Sequence, residues 1–245
     1  MPIVILSAVI QGLAILHVVR TGRDMRWIFL ILFLPGFGAL IYFLAEVLPS
    51  LNQNLTARRA VRRVQSVVDP TRDLRAAELE YERNPSIETA SRYAGELTRA
   101  GRHDEAIRIC SAARTGLFED DPKILLALAN AQFAAGLHED TIATLDRLRE
   151  RNPDFRSPDG HLLYARSLEE RGDTERALEE YAALARYYPG AEARVRHALL
   201  CKRLGRTDEA AAMFAAILKD ARLAPKHFRR SQREWLELAK RESEG

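Results

Sequence analysis

Little in this chain invites covalent or metal chemistry. It holds two cysteines in 245 residues, Cys110 and Cys201, with no C-x-x-C spacing between them. Two thiols are too few for a disulfide scaffold and wrongly placed for a metal knot, so both read as small apolar core residues. A Gly-rich phosphate loop, an H-E-x-x-H helix, a G-x-S-x-G nucleophile turn and a calcium loop are all missing. The acidic run Glu119, Asp120 and Asp121 stands beside Pro122, which marks a charged helix start rather than a metal site. No segment carries a clear strand pattern. The expectation is a non-enzymatic protein with no catalytic residue, metal, cofactor or small-molecule substrate.

Charge of one sign is also scarce in the larger part of the chain. The formal net charge is +3. Residues 1–50 contribute +1, from Arg20, Arg23 and Arg26 against Asp24 and Glu46. Residues 51–69 contribute +3, from Arg58, Arg59, Arg62 and Arg63 against Asp69, which leaves −1 for residues 70–245. The pI near 9.0 therefore belongs to the beginning of the chain and does not point to nucleic acid.

That beginning is overwhelmingly apolar. Residues 2–19 are strongly polar only at Gln11 and His17, and residues 27–45 carry no charge. As helices they would each be about 27–28 Å long, close to the ~30 Å hydrocarbon core of a bilayer. The twelve Leu, Ile and Phe residues of the second segment favour insertion by roughly 4–7 kcal/mol before Pro and Gly penalties. No basic residue precedes the first run, and a second span follows it, so a cleavable signal peptide is not expected. A seven-residue connector, 20–26, makes the pair an antiparallel hairpin, residues 1–48. Pro35 should kink the second span. Gly36 and Gly38 permit close approach, and Ala8 and Gly12 have small-xxx-small spacing in the first span.

Residues 49–69 read as a basic amphipathic linker helix. Apolar positions 57, 60, 61, 64, 67 and 68 recur at helical spacing. Arg58, Arg59, Arg62 and Arg63 project elsewhere, where they favour anionic headgroups by about 1 kcal/mol each and orient the spans. Four arginines and the N-terminal amine on one side outweigh three in the short loop. The expected location is therefore the bacterial inner membrane, with the remainder of the chain in the cytoplasm.

Residues 70–245 repeat themselves. The glycines in A-G-R-H-D-E-A-I (100–107), A-G-L-H-E-D-T-I (135–142), R-G-D-T-E-R-A-L (171–178) and L-G-R-T-D-E-A-A (204–211) lie 35, 36 and 33 residues apart. Each physical part has a reason. Glycine ends a first helix where positive φ is needed, and an acid follows in the first turn of a second helix. The small Ala106, Thr141, Ala177 and Ala210 let the two helices close up. Cys110, Leu145, Tyr181 and Phe214, four residues later, fill the space between them. Ala94, Ala129, Ala165 and Ala198 are the small packing positions of the first helices. Pro85, Pro122, Pro153, Pro189 and Pro225 end the units. The fold class is thus all-α: a two-helix transmembrane hairpin, then an α-solenoid of about four helix pairs over 86–222. One helix precedes them over 70–83, and a polar capping helix follows over 225–242. Roughly nine or ten helices are expected beyond Asp69.

Two family resemblances attach to these residues. Arg20, Trp27, the apolar run 28–34, Pro35, Gly38 and Tyr42 resemble the N-terminal membrane segment of phospholipase D and cardiolipin synthase proteins. The resemblance implies an anchor whose chemistry would lie downstream, in a His-x-Lys and Asp signature. None of the six histidines here is followed by Lys two residues later. The period near 34 resembles tetratricopeptide repeats and implies a groove lined by the first helix of each unit. The groove positions are Arg92 and Arg99, Asn130 and Phe133, Arg166, and Arg196, Lys202 and Arg203. Their cations suit an acidic or C-terminal segment of a protein partner, with Phe133 as apolar anchor. Asn130 matches a terminal-carboxylate clamp of some such proteins, although the paired lysines are missing. The expected function is a membrane-anchored scaffold binding a protein or peptide. The alternative is a regulatory or assembly subunit of an envelope or phospholipid-synthesis enzyme, docking through the hairpin.

Overall fold

The computed structural model describes residues 11–16, 18, 20, 26–33, 41 and 71–244. It divides into two units, residues 1–72 and 73–245. In the first, residues 11–16 are helical and α1 spans Arg26–Phe33. Val18 and Ile31 are buried together, with Ala14, Ile15, Trp27 and Ile28 packed around them. Among the described residues no helix is long and apolar enough to cross a membrane. Pro35, Gly36, Gly38, Tyr42 and the linker with Arg58, Arg59, Arg62 and Arg63 lie outside the described residues.

The second unit is a succession of helices, with no strand among the described residues. The leading helix α2 (Arg72–Arg83) is followed by four pairs: α3 (Ile87–Arg99) with α4 (His103–Ala113), α5 (Pro122–Ala134) with α6 (His138–Arg151), α7 (Pro158–Arg171) with α8 (Thr174–Leu184), and α9 (Glu192–Arg203) with α10 (Thr207–Leu223). Two further helices, α11 (Lys226–Ser231) and α12 (Arg233–Glu244), close the unit, and a 3-10 turn spans Gly116–Phe118.

The four within-pair turns are built alike. Gly101, Gly136, Gly172 and Gly205 have φ of 77°, 78°, 88° and 79°. In each turn, the amide after the glycine reaches back to the carbonyl four residues before the glycine: Arg102 to Leu97 at 2.9 Å, Leu137 to Gln132 at 2.9 Å, Asp173 to Leu168 at 2.8 Å and Arg206 to Cys201 at 3.0 Å. This bond closes a helix end that would otherwise leave its carbonyls unpaired. The small positions do what their size allows. Ala94, Ala129, Ala165 and Ala198 are fully buried, and so are Ala106, Thr141 and Ala177, with Ala210 at 1% exposure. Thr141 is accommodated because its hydroxyl donates to the Leu137 carbonyl at 2.8 Å, leaving no orphan donor in the core.

Three details refine the sequence reading. Pro122 and Pro158 occupy the first turn of the next helix, after the caps Asp121 and Ser157, because the missing amide of proline costs nothing there. The acids at 119–121 divide their work: Asp121 accepts from the amides of Lys123 and Ile124, while Arg147 holds Glu119 and Asp120. The capping helix is two helices, broken at Gln232, whose side-chain oxygen accepts from the Ala191 amide at 2.8 Å. Eleven α-helices thus follow residue 70 among the described residues. The last one is less polar on its inner face than expected, since Ala239 is buried and Trp235, Leu236 and Leu238 pack against the main core.

Candidate functional site

The first-helix face is most elaborate between α7 and α9, and its construction starts in the core. Tyr181 on α8, fully buried, donates its hydroxyl to Glu169 on α7 at 2.5 Å. Burial, helped by that bond, pushes the phenol pKa up, so the donor stays protonated. Glu169, with 10% of its side chain exposed, lies 3.6 Å from Arg196 and accepts a hydrogen bond from Arg203. Glu192 in the first turn of α9 accepts from Arg196 at 2.9 Å and lies 3.7 Å from Arg166. Arg166 in turn sits over the ring of Phe133, 4.5 Å from its centroid, and Arg196 sits 5.1 Å from the ring of Trp235. The Arg166 Nε is buried with no hydrogen-bond partner among the described residues.

Three guanidiniums therefore meet two carboxylates; Arg196 is sunk beside the acids, while Arg166 and Arg203 stand further out. Arg203 is 58% exposed at the side chain while Glu169 and Glu192 are 10% and 17% exposed. A ligand arriving from solvent meets positive groups first, with an aromatic ring beneath one of them. Guanidinium forks held by packing and by carboxylates are suited to bidentate recognition of a further carboxylate.

Of the groove residues read from the sequence, Phe133, Arg166, Arg196 and Arg203 are brought into this one network. The others go elsewhere. Lys202 pairs with Glu242 on α12 at 3.1 Å. Arg92 pairs with Glu80 on α2, and Arg99 with Glu96 on its own helix at 2.7 Å. Asn130 turns onto its own helix and donates to the Leu126 carbonyl at 2.7 Å.

A second cluster escaped the sequence reading. A cavity of about 210 Å³ opens between α6, α7 and α8, walled by Leu145, Leu148, Phe155 and Tyr164. On its edge His161 bonds Glu180 at 2.5 Å through Nε2 and Tyr187 through Nδ1. The hydrogen bond from His161 holds the Glu180 carboxyl below its ordinary pKa. These residues are 19 and 26 positions from His161, so only the register of neighbouring helices joins them. The cavity has the size of one side chain and an apolar wall, which suits an anchoring residue of a peptide. Both cysteines are buried, and burial pushes the Cys110 thiol up to about 12, which suits core filling rather than nucleophilic use. Among the described residues no group of His, Cys, Asp and Glu is arranged to hold a metal ion.

Comparison with known proteins agrees with the fold. Residues 97–167 and residues 159–191 each match a tetratricopeptide repeat family. The crystal structure of TTC0263, a thermophilic repeat protein of this type from Thermus thermophilus, is 22% identical with a TM-score of 0.54 and covers 76% of this chain and 95% of its own. YrrB, described as a repeat protein with an unusual peptide-binding site, is 16% identical with a TM-score of 0.50, over 69% of this chain and 93% of its own. MamA is 20% identical at a TM-score of 0.50, over 60% of this chain and 85% of its own. No curated protein matches the chain. Residues 97–191, which hold the second and third helix pairs, thus match tetratricopeptide repeats, and the second unit shares the all-α solenoid fold of these structures.

Proposed function

We propose that this protein is a non-enzymatic scaffold, anchored in the bacterial inner membrane, whose repeats face the cytoplasm and bind an acidic peptide segment of a partner protein. The observation that carries the binding half is the network of Arg166, Arg196 and Arg203 around sunken Glu169 and Glu192, with Phe133 as the apolar floor. Tetratricopeptide proteins are typically interaction scaffolds, and YrrB is described as peptide-binding.

The anchoring half is supported by the first unit. Leu13, Leu16, Phe29, Leu32 and Phe33 are all exposed there, and large apolar side chains gathered in one short segment and left exposed suit membrane or protein contact. The same observation favours a second reading, a regulatory or assembly subunit that docks on an envelope or phospholipid-synthesis enzyme through this segment. Exchanging residues 1–48 for an unrelated anchor separates the two, because a scaffold keeps working and a hairpin-docked subunit does not. Arg58, Arg59, Arg62 and Arg63 would hold anionic headgroups beside the anchor.

The groove is tested by selecting ligands for residues 71–245 from a peptide library and measuring their affinity by fluorescence anisotropy. Acid-rich sequences are the expected outcome, with affinity falling about tenfold or more in the Arg203→Glu variant, the loss of one charge-assisted contact being worth roughly 1.5–3 kcal/mol. Selection of sequences without acids, or a variant that binds them unchanged, overturns the reading. A reporter fused to Gly245 that is active only in the periplasm would reverse the assigned orientation.

A further inference from the structure

At the far end of the repeats the pairing of charges stops. From 221 to 233 the chain carries Arg222, Lys226, Arg229, Arg230 and Arg233 and no acidic residue. Lys219 lies just before this stretch, and Asp220 beside it is engaged by Arg194 at 2.8 Å. Arg233 is joined to Glu237 at 2.7 Å. Lys219, Arg222, Lys226, Arg229 and Arg230 have no carboxylate partner among the described residues. This is unlike the groove, where each of the cations has one.

The five unpaired cations fall within twelve residues, on two successive helices, and Arg230 stands beside a surface hollow that Glu234 and Glu237 also line. Lys219 and Arg222 are exposed on the last turns of α10, together with Leu223, which is 84% exposed. On α11 Lys226, Arg229 and Arg230 follow at i, i+3 and i+4, one face of a helix. Phe228 points away from that face, lining a small cavity with Tyr188, Pro189 and Leu236. An exposed leucine among unpaired cations is the composition of a surface that meets a lipid headgroup layer, with the charges on phosphates and the apolar side chain at the acyl boundary. Single-stranded nucleic acid would call for an exposed aromatic platform on which bases stack, and the phenyl ring here is turned inward. The other highly exposed leucine of the repeats, Leu117, is followed by Glu119, Asp120 and Asp121 and has the opposite charge setting.

We infer that the exposed segment carrying Lys219, Arg222, Leu223, Lys226, Arg229 and Arg230 binds anionic phospholipid membranes, giving the repeats a lipid contact of their own after the last helix pair. Residues 73–245 form a compact unit with its own cores, so residues 71–245 are used for the test and the proposed N-terminal anchor takes no part in it. The fragment is sedimented with vesicles of phosphatidylcholine alone and with vesicles containing phosphatidylglycerol, over a range of salt. Binding is expected to the anionic vesicles only, to weaken as salt shortens the range of the charges, and to fall about tenfold or more in the Arg229→Glu, Arg230→Glu double variant. Leu223→Ser is expected to weaken it several-fold with every charge retained. Equal binding to neutral vesicles, no binding at low salt, a double variant that binds like the parent, or binding to single-stranded RNA in preference to vesicles overturns the inference. The peptide affinity of the groove stands apart from every one of these outcomes.

Discussion

The two ends of the first-helix face use arginine in opposite ways. Near the start, Arg92 with Glu80 and Arg99 with Glu96 are separate pairs whose arginines are more than half exposed. Such pairs are screened by water and hold little energy. Between α7 and α9 the acids are sunk, Tyr181 and Arg203 converge on Glu169, and Arg196 joins Glu169 to Glu192. The same register position supplies the contrast. Cys110 in the first pair has no polar tip to offer, whereas Tyr181 in the third reaches out of the core to hold a carboxylate in place. At this position the core thus reaches a carboxylate in the third pair and not in the first.

The largest effect expected from this contrast is at Glu169. Glu169→Ala strips the partner from a buried phenol and two guanidiniums and should cost about 3 kcal/mol, while Glu80→Ala should cost less than about 1 kcal/mol. Urea unfolding of residues 71–245, followed by far-ultraviolet circular dichroism, measures both, and equal losses would erase the distinction. A second pair asks whether the backbone differs as the side chains do. Gly172 at the end of α7 has φ +88°, whereas Gly95 lies within α3 with open space around a Cβ. Gly172→Ala should destabilise by about 1–2 kcal/mol, and Gly95→Ala should stabilise by roughly 0.5–1 kcal/mol. The same substitution therefore has opposite signs in the two repeats, read by the shift in the unfolding midpoint.

The smallest effect concerns pH. Burial lowers the pKa of His197 on α9 below its ordinary 6.5. The unfolded chain therefore takes up the proton first as pH falls. The contribution of this residue is complete above about pH 6.5 and is lost as pH drops through the lower folded value. His197→Gln should flatten the stability profile of residues 71–245 across that range, and a profile unchanged by the substitution would show that the imidazole stays hydrated in the fold.

Much of the repeat body was legible because its signals are local. Gly101, Gly136, Gly172 and Gly205 mark positive φ, and the alanines beside them mark close packing; both follow from chain geometry that any neighbour would impose. The break at Gln232 was not legible, and the bond its side chain accepts there comes from Ala191, 41 residues away. Nor was the partner choice of each arginine. Arg92, Arg166, Arg196, Lys202 and Arg203 occupy comparable helix faces, yet Glu80, Glu192, Glu169 and Glu242 come from other helices. The cluster of His161, Glu180 and Tyr187 was hidden for the same reason.

Sequence alone determined that the chain from 86 to 223 forms paired helices at a period near 34, where the four glycine turns fall and which small residues are buried. Those properties rest on backbone conformation and steric size, which act over a few residues. Tertiary structure decided which side chains share a site: that Tyr181 organises Glu169, that Phe133 lies under Arg166, that Lys202 is spent on α12, and that the cations from Lys219 to Arg230 are left without carboxylate partners among the described residues. Charges and hydrogen bonds act between groups that only packing brings within a few ångströms, and their strength depends on how much water that packing removes.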